Sequence, residues 1–165
     1  MTRKELLPYR DCVGIMLFNP KGRVLIAQRI GGYAKAWQMP QGGIDSGEQA
    51  IQAAYRELRE EIGTNRAELI DCYPKPLLYD LPDDLVGKIW KGRYRGQRQH
   101  WFAMRFTGQD QEINIDTDHP EFNCWRWCTL EKLPELVVPF KRHIYVDLIT
   151  YFAHLPNQVQ ETSAS

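Results

Sequence analysis

The sequence predicts an α+β fold: a mixed β-sheet with a helix packed on each face, an α/β/α sandwich. Three observations carry this expectation. Apolar runs of strand length outnumber the helical stretches and mostly come in hairpin-like pairs. Two longer stretches, residues 47–62 and 139–155, repeat apolar side chains at helical spacing. The chain has 165 residues, 43% of them hydrophobic, which suffices for one domain with a sizeable core.

Taken in order, "CVGIMLFN" and "RVLIAQRI" flank the turn "PKG" and predict a hairpin. "GGYAK" interrupts it, and "AWQMP" is a short strand closed by Pro40. The first helix follows the glycine turn Gly42-Gly43, with Ile51, Ala54, Tyr55, Leu58 and Ile62 facing inward. Asp45 or Ser46 caps it, Glu48 or Gln49 completes a capping box, and Gly63 ends it. "AELIDCY" and "KPLLYDL" are strands around Pro74, and "DDLVGKIWKGRYRGQRQ" is a loop or partial strand. "HWFAMRFTG" and "FNCWRWCTL" are strands, and "LEKLPELV" is a short helix broken by Pro134. The second long helix buries Ile144, Leu148, Tyr151 and Phe152. One domain is expected over residues 1–155, and the small polar residues of 156–165 predict a disordered tail.

Composition excludes several functions. Acids and bases balance at 21 each, so bulk charge points to neither a nucleic-acid partner, DNA included, nor a membrane surface, and any polyanion contact must come from a local basic cluster. No apolar run approaches the ~20 residues of a membrane span, and "MTRKELLPYRD" lacks the core of a signal peptide. A cytoplasmic location is therefore expected. Cys12, Cys72, Cys124 and Cys128 have no zinc-ribbon or Cys-x-x-Cys spacing and read as reduced, buried thiols. His119, His143 and His154 lack ligand spacing for one another. Neither a Gly-x-Ser-x-Gly elbow nor a P-loop occurs, which disfavours serine nucleophiles and Walker-type chemistry.

The chemistry concentrates in "GGIDSGEQAIQAAYRELREEIGT". Glu57, Glu60 and Glu61 fall at i, i+3 and i+4, within about one third of a helix circumference. Like charges at that spacing cost an isolated helix about 0.2–0.5 kcal/mol per pair. They also lie near the helix C-terminus, where the macrodipole disfavours anions. Broken local rules are expected at functional sites, and a hard divalent cation such as Mg²⁺ or Mn²⁺ turns such a cluster into a site. The bland alternative is a solvated face paired with Arg56 and Arg59. The glycines weigh against it, because they allow close backbone approach to a ligand.

Gly42, five residues on Glu48, and after seven more the run Arg56-Glu57-Leu58-Arg59-Glu60-Glu61-Ile62-Gly63 resemble the Nudix box. Thr64 departs from the usual aliphatic at the last position, and no ligand position of the box is missing. The resemblance implies a Nudix-type sandwich and hydrolysis of a nucleoside diphosphate linked to another moiety. It implies Mg²⁺ or Mn²⁺ on Glu57, Glu60 and Glu61, with Gly42 at the metal, and Arg56 and Glu48 orienting the carboxylates.

Outside the box, "YRDCVGI", "WQMPQGGI", "LLYDLP", "GQRQHWF", "PEFNCWRW" and "PFKR" are similar to segments of the branch containing bacterial RNA 5′-pyrophosphohydrolases and asymmetric diadenosine tetraphosphate hydrolases. This likeness spans residues 8–155. It implies that Glu121 acts as general base or a further metal ligand. It also implies that Arg10, Arg29 and Lys141 hold phosphates, that Gln41 contacts substrate, and that Phe140 or Tyr79 stacks a base. Lys88, Lys91, Arg93, Arg95 and Arg98, interleaved with Trp90, Tyr94 and Trp101, form the one dense basic patch, suited to steer RNA or to a solvated loop.

The first reading is removal of phosphates from 5′-triphosphorylated RNA, leaving 5′-monophosphate ends. The alternatives are a dinucleoside polyphosphate hydrolase and a non-catalytic nucleotide-binding module. The protein is expected as a monomer or homodimer.

Overall fold

The computed structural model describes residues 1–31 and 36–164. Most of the "GGYAK" break lies outside the described residues. Strands β1 (Tyr9–Phe18), β2 (Val24–Arg29), β3 (Trp37–Gln38), β4 (Gln41–Gly43), β5 (Ala67–Cys72), β6 (Leu77–Asp80), β7 (Gly96–Phe106) and β8 (Phe122–Cys128) form one mixed sheet. Helix α1 (Ala50–Ile62) covers one face, and α2 (Leu133–Leu136), α3 (Arg142–Tyr151) and α4 (Leu155–Ala164) lie beyond β8 in the chain. The expected sandwich is observed, with a core on each side of the sheet.

The sheet is organised by β1 and β7, which run parallel in register from Tyr9↔Gly96 to Phe18↔Arg105. The outer edge of β7 is shared by β6 and β5. Strand alternation then sorts β1 between the two cores. Val13, Ile15 and Leu17 pack with Leu58 and Ile62 of α1, whereas Met16 and Phe18 pack with Ile144 and Leu148 of α3.

The predicted hairpin is only its root. β1 and β2 pair at Phe18↔Val24 and then diverge. β4 takes the freed edge of β1, β3 pairs with β2 across the split, and β8 takes the other edge of β2. The reason lies in their continuous burial. A strand buried on both faces gains from any partner, and long-range partners win here over the sequence neighbour.

Several local expectations shift. Helix α1 begins at Ala50, and its capping box uses Gln49 and Gln52, whose Oε1 accepts the Gln49 N–H at 2.9 Å. Asp45 and Glu48 form a separate turn ahead of it. Gly63 ends the helix in the left-handed region at φ 76°, as expected. Pro134 does not break its helix; it sits in the first turn of α2, where its missing N–H costs nothing. In α3 the buried aromatic is Tyr145, whose hydroxyl accepts the Met39 N–H at 2.8 Å; Tyr151 faces solvent. Cys12 and Cys128 are buried thiols, but Cys72 is exposed.

The predicted disordered tail is instead α4, starting at Leu155. Leu155 and Val159 are fully enclosed in the α3-side core, which is what orders an otherwise polar segment. The amide of Gln160 also donates to the Lys21 carbonyl. Leu155→Ala is therefore expected to cost about 2–5 kcal/mol in urea unfolding. A frayed tail would limit the change to about 0.5 kcal/mol.

Candidate active site

Helix α1 approaches the sheet with Glu57 and Glu61 turned inward and Glu60 outward. The i, i+4 pair lies beside the apolar stripe, so packing Leu58 and Ile62 draws both carboxylates out of water. β4 receives them. A Cβ on Gly42 would lie 1.9 Å from the Glu57 carboxyl carbon, so only glycine leaves room there. The Gln41 N–H donates to Glu61 Oε1 at 3.3 Å, while Glu61 Oε2 is buried with no hydrogen-bond partner among the described residues.

Arg56 ties this assembly together. Its guanidinium grips Glu48 with two bonds, at 2.8 and 2.9 Å. It also donates to Glu57 at 2.9 Å, to Glu60 at 3.1 Å and to the Gly43 carbonyl at 2.7 Å. The helix, its preceding loop and β4 are thus held by one planar fork. The Arg56 bonds hold the Glu48 carboxyl down at about 2. Burial outweighs the Arg56 contact at Glu57 and pushes it up to about 7. Burial also raises Glu61 well above the carboxylate range, reinforced by the like charges of Glu121 and Glu57.

Glu121 is an exposed residue whose carbonyl accepts the Ile30 N–H at 2.8 Å, just before the Arg29↔Phe122 pair of β2 and β8. Glu121 and Arg29 thus come from the other branch of the sheet; the charge of Glu121 raises the Glu61 carboxyl and that of Arg29 works against the rise. Thr64, the departure from the box, is buried and uses its hydroxyl to accept the Arg66 N–H at 3.2 Å.

The opposite sheet face is cationic. The Arg10 guanidinium lies over Gly43, where a Cβ would come within 2.5 Å of it, and 5.9 Å from the Trp90 ring. Lys141 is buried with its ammonium 5.1 Å from the Tyr79 ring centroid, and burial, with Arg29 nearby, lowers it to about 8. Phe140 packs on Tyr79 at 5.6 Å between centroids. Tyr79 is therefore enclosed between Phe140 and Lys141, and the expectation that it stacks a base gives way to Phe140, which is half-buried.

The basic patch divides. Arg95 pairs with Asp80 and Arg98 with Asp11, so both brace strands. Trp101 is a core residue 1% exposed, because the alternation of β7 turns it inward. Trp90 and Lys91 hold positive φ angles of 52° and 57° in the loop.

Sequence reasoning missed Gln97 and Gln99, both buried on the cationic face of β7. The signal was present: in "GQRQHW" the glutamines share the period-2 face of Trp101, and polar residues at inward strand positions need a reason.

Among the described residues, no three His, Cys, Asp or Glu side chains converge at ligand distances, and Glu57 and Glu60 both accept from Arg56. The donor set still fits a hard divalent cation. It offers carboxylate oxygens only, one of them orphaned and buried, in a place where negative charge is otherwise penalised.

The family model described as NUDIX domain matches residues 8–148. A Sphingopyxis alaskensis protein named RNA pyrophosphohydrolase is 52% identical over 157 residues, covering 94% of this chain and 99% of that relative. A Rhodospirillum rubrum protein of the same name is 54% identical over 147 residues, covering 89% of this chain and 88% of its own. Among solved structures, the E. coli dihydroneopterin triphosphate pyrophosphohydrolase has a TM-score of 0.64 at 20% identity, covering 87% of this chain and 99% of that one. A C. elegans Ap4A hydrolase binary complex also scores 0.64 at 20% identity, covering 87% and 98%. At that identity the two structures share the fold.

Two outcomes follow from this geometry. Gly42→Ala displaces the Glu57 carboxylate and is expected to weaken Mn²⁺ binding about 10–100-fold in an electron-spin-resonance titration. The cation-free protein is expected to lose stability with rising pH. The folded Glu57 carboxyl holds its proton above the ordinary 4.5 and up to about 7. Its contribution is complete below 4.5 and is lost as pH rises through about 7. Urea midpoints across that window should fall for the wild type and flatten for Glu57→Gln.

Proposed function

The chain belongs to the Nudix hydrolase family, and from that premise we propose that it removes phosphates from the 5′ end of triphosphorylated RNA to leave a 5′-monophosphate. The observation that carries this reading is the buried carboxylate pair, with Glu61 Oε2 unpartnered beside Glu57 and Glu121. It fits a site completed by Mg²⁺ or Mn²⁺. The roughly 50%-identical relatives named RNA pyrophosphohydrolase support the choice of substrate.

Glu57, Glu60 and Glu61 are the residues that would hold the cation, with Gly42 letting the Glu57 carboxylate against β4. A bound divalent cation lowers the pKa of the attacking water and neutralises charge on the phosphate chain. Glu121, exposed and with its charge felt at Glu61, is the candidate to take that water's proton or to add a ligand. Arg56 fixes the carboxylates and does not touch the phosphates; its donors are already spent on Glu48, Glu57, Glu60 and Gly43.

Arg10, Arg29 and Lys141 supply the positive side. Lys141, lowered to about 8, is still mostly charged at neutral pH, and an arriving phosphate strengthens that charge by replacing lost hydration. Phe140, next to Lys141 in the chain and packed on the Tyr79 ring over which Lys141 lies, offers a half-buried aromatic surface on which a nucleoside could stack close to the phosphate-binding bases. Gln41 presents its side chain from β4 between the acids and this face. A cytoplasmic location goes with this reading, as the compartment in which an RNA substrate is met. No described helix is long and apolar enough to cross a membrane.

Purified protein with Mg²⁺ should convert 5′-triphosphorylated RNA with a higher kcat/KM than diadenosine tetraphosphate; the reverse order would move the assignment to the dinucleotide. Glu61→Gln should lower turnover by ~10²-fold or more. The same change should leave the cation-free protein as stable or more so, because it deletes a desolvated carboxyl.

A further inference from the structure

We propose that Trp101 and Gln99 are positioning residues: they fix the polarity of a buried amide chain, so that Gln41 and Gln97 offer N–H donors, and not carbonyl oxygens, to the phosphate oxygens of the substrate. This deepens the polyphosphate reading above and rests on it for the ligand's chemistry.

The strand register assembles the chain. β1, β7 and β6 align Arg10, Gln97 and Tyr79 in one cross-strand row. β4, β1 and β7 align Gln41, Gly14 and Trp101 in another, and Gln99 sits between the rows on β7. In-register neighbours project to one face. Gly14 lets the Trp101 ring lie flat across β1, since a Cβ there would be 2.5 Å from it.

An indole N–H can only donate. Trp101 Nε1 lies 2.9 Å from Gln99, which must therefore turn its oxygen to the indole. That leaves the Gln99 NH₂ facing the other way. Its two protons go to Gln41 Oε1 at 2.9 Å and Gln97 Oε1 at 2.8 Å. With their oxygens spent inward, Gln41 and Gln97 must point their own NH₂ groups away from Gln99. Neither nitrogen has a partner among the described residues, and neither is among the buried side-chain atoms left unpaired, so each keeps some access to solvent.

The neighbours on this face share that sign. Arg10 is beside Gln97 in register, and Lys141 lies over Tyr79 in the same row. The acids Glu57 and Glu61 lie across β4, one of them bonded to the Gln41 backbone. The cleft thus has an acidic side and a side made of donors. Ionised phosphate oxygens only accept, so a flipped glutamine would set oxygen against oxygen. A buried amide chain is costly compared with an apolar core unless each member is satisfied. Here the unsatisfied ends are the two that face the ligand.

Trp101→Phe keeps an aromatic over Gly14 but deletes the N–H, releasing the chain to flip. Gln99→Glu replaces the inward donors with acceptors, so Gln41 and Gln97 must turn NH₂ inward and oxygen outward. For both variants KM for 5′-triphosphorylated RNA should rise about 10-fold or more while kcat and Mn²⁺ affinity stay near wild type. A loss of kcat at unchanged KM is the mark of a merely structural role and would overturn the proposal. Where Trp101→Phe fails to fold, Gln99→Glu and a wild-type titration decide. In that titration the side-chain NH₂ resonances of Gln41 and Gln97 are followed by ¹⁵N NMR as inorganic tripolyphosphate is added in Mg²⁺ buffer. Both pairs should shift in the wild type and not in Gln99→Glu. If RNA is hydrolysed but the amides stay still, this inference falls and the hydrolase reading stands. If the amides shift but no RNA is hydrolysed, the hydrolase reading falls and the donor wall remains.

Discussion

Glu57 and Glu61 are carried out of water by the packing of Leu58 and Ile62, and of these two only Glu57 has an ion-pair partner among the described residues. A desolvated carboxylate is among the costlier groups a fold can hold, so its surroundings show what balances it. Arg56 offsets part of the cost at Glu57 while also binding Glu48 and Glu60. At Glu61, among the described residues, only one long backbone N–H bond and the more distant charge of Arg29 act against it. The helix is therefore built around a deficit of positive charge. A fold that wanted only a stable α1 would put an apolar side chain at position 61. The deficit is chemically useful because a cation entering there finds oxygens already stripped of water and fixed in place.

The two adjacent glycines show how the deficit is supplied with a substrate. In a strand, successive Cβ positions point to opposite faces. The Cβ absent from Gly42 would strike Glu57 on the α1 side, and the one absent from Gly43 would strike Arg10 on the other. One dipeptide thus admits an acid from one face and a base from the other to the same narrow strand. β4 is a short element, and its brevity keeps the two charge types near each other without letting them pair directly. Arg56 spans the same strand by bonding the Gly43 carbonyl.

This division explains what was legible in the sequence. The box was legible because its chemistry is local: Glu57, Glu60 and Glu61 are neighbours on one helix, Gly42 and Gly43 precede it, and the Arg56–Glu48 clamp closes within one loop. Both covering helices and most strands were legible from period alone. What escaped needed distant partners. The β1–β2 hairpin opened because β7, β4 and β8 compete for its edges. The tail became α4 because Leu155 and Val159 reach a core assembled by residues far ahead of them. Tyr79 stands beside Phe140 in the sequence reading as a base-stacking aromatic, and only the fold shows it buried under Phe140 and Lys141. Gln97 and Gln99 looked like members of a basic loop because their neighbours Arg95 and Arg98 are charged. Their role emerges only once β1 supplies the parallel register that sets them beside Arg10.

The parallel β1–β7 pair is also where the two halves of the site are joined mechanically. β1 carries Arg10 and bonds β4, which holds the acids through Gly42 and the Gln41 N–H. β7 carries Gln97, Gln99 and Trp101 and is covered by the elements that bring Phe140 and Lys141 over Tyr79. Shifting that register by one residue would turn Gln97, Gln99 and Trp101 to the α1 side and replace them with Arg98 and His100. Trp101 would then collide with α1's packing, and Gly14 would lie uncovered. The indole on Gly14 is thus at once a register pin for the sheet and the fixed donor from which the amide chain takes its direction. Fold and site share this contact, and the cost of burying three glutamines falls where the sheet is already most firmly held.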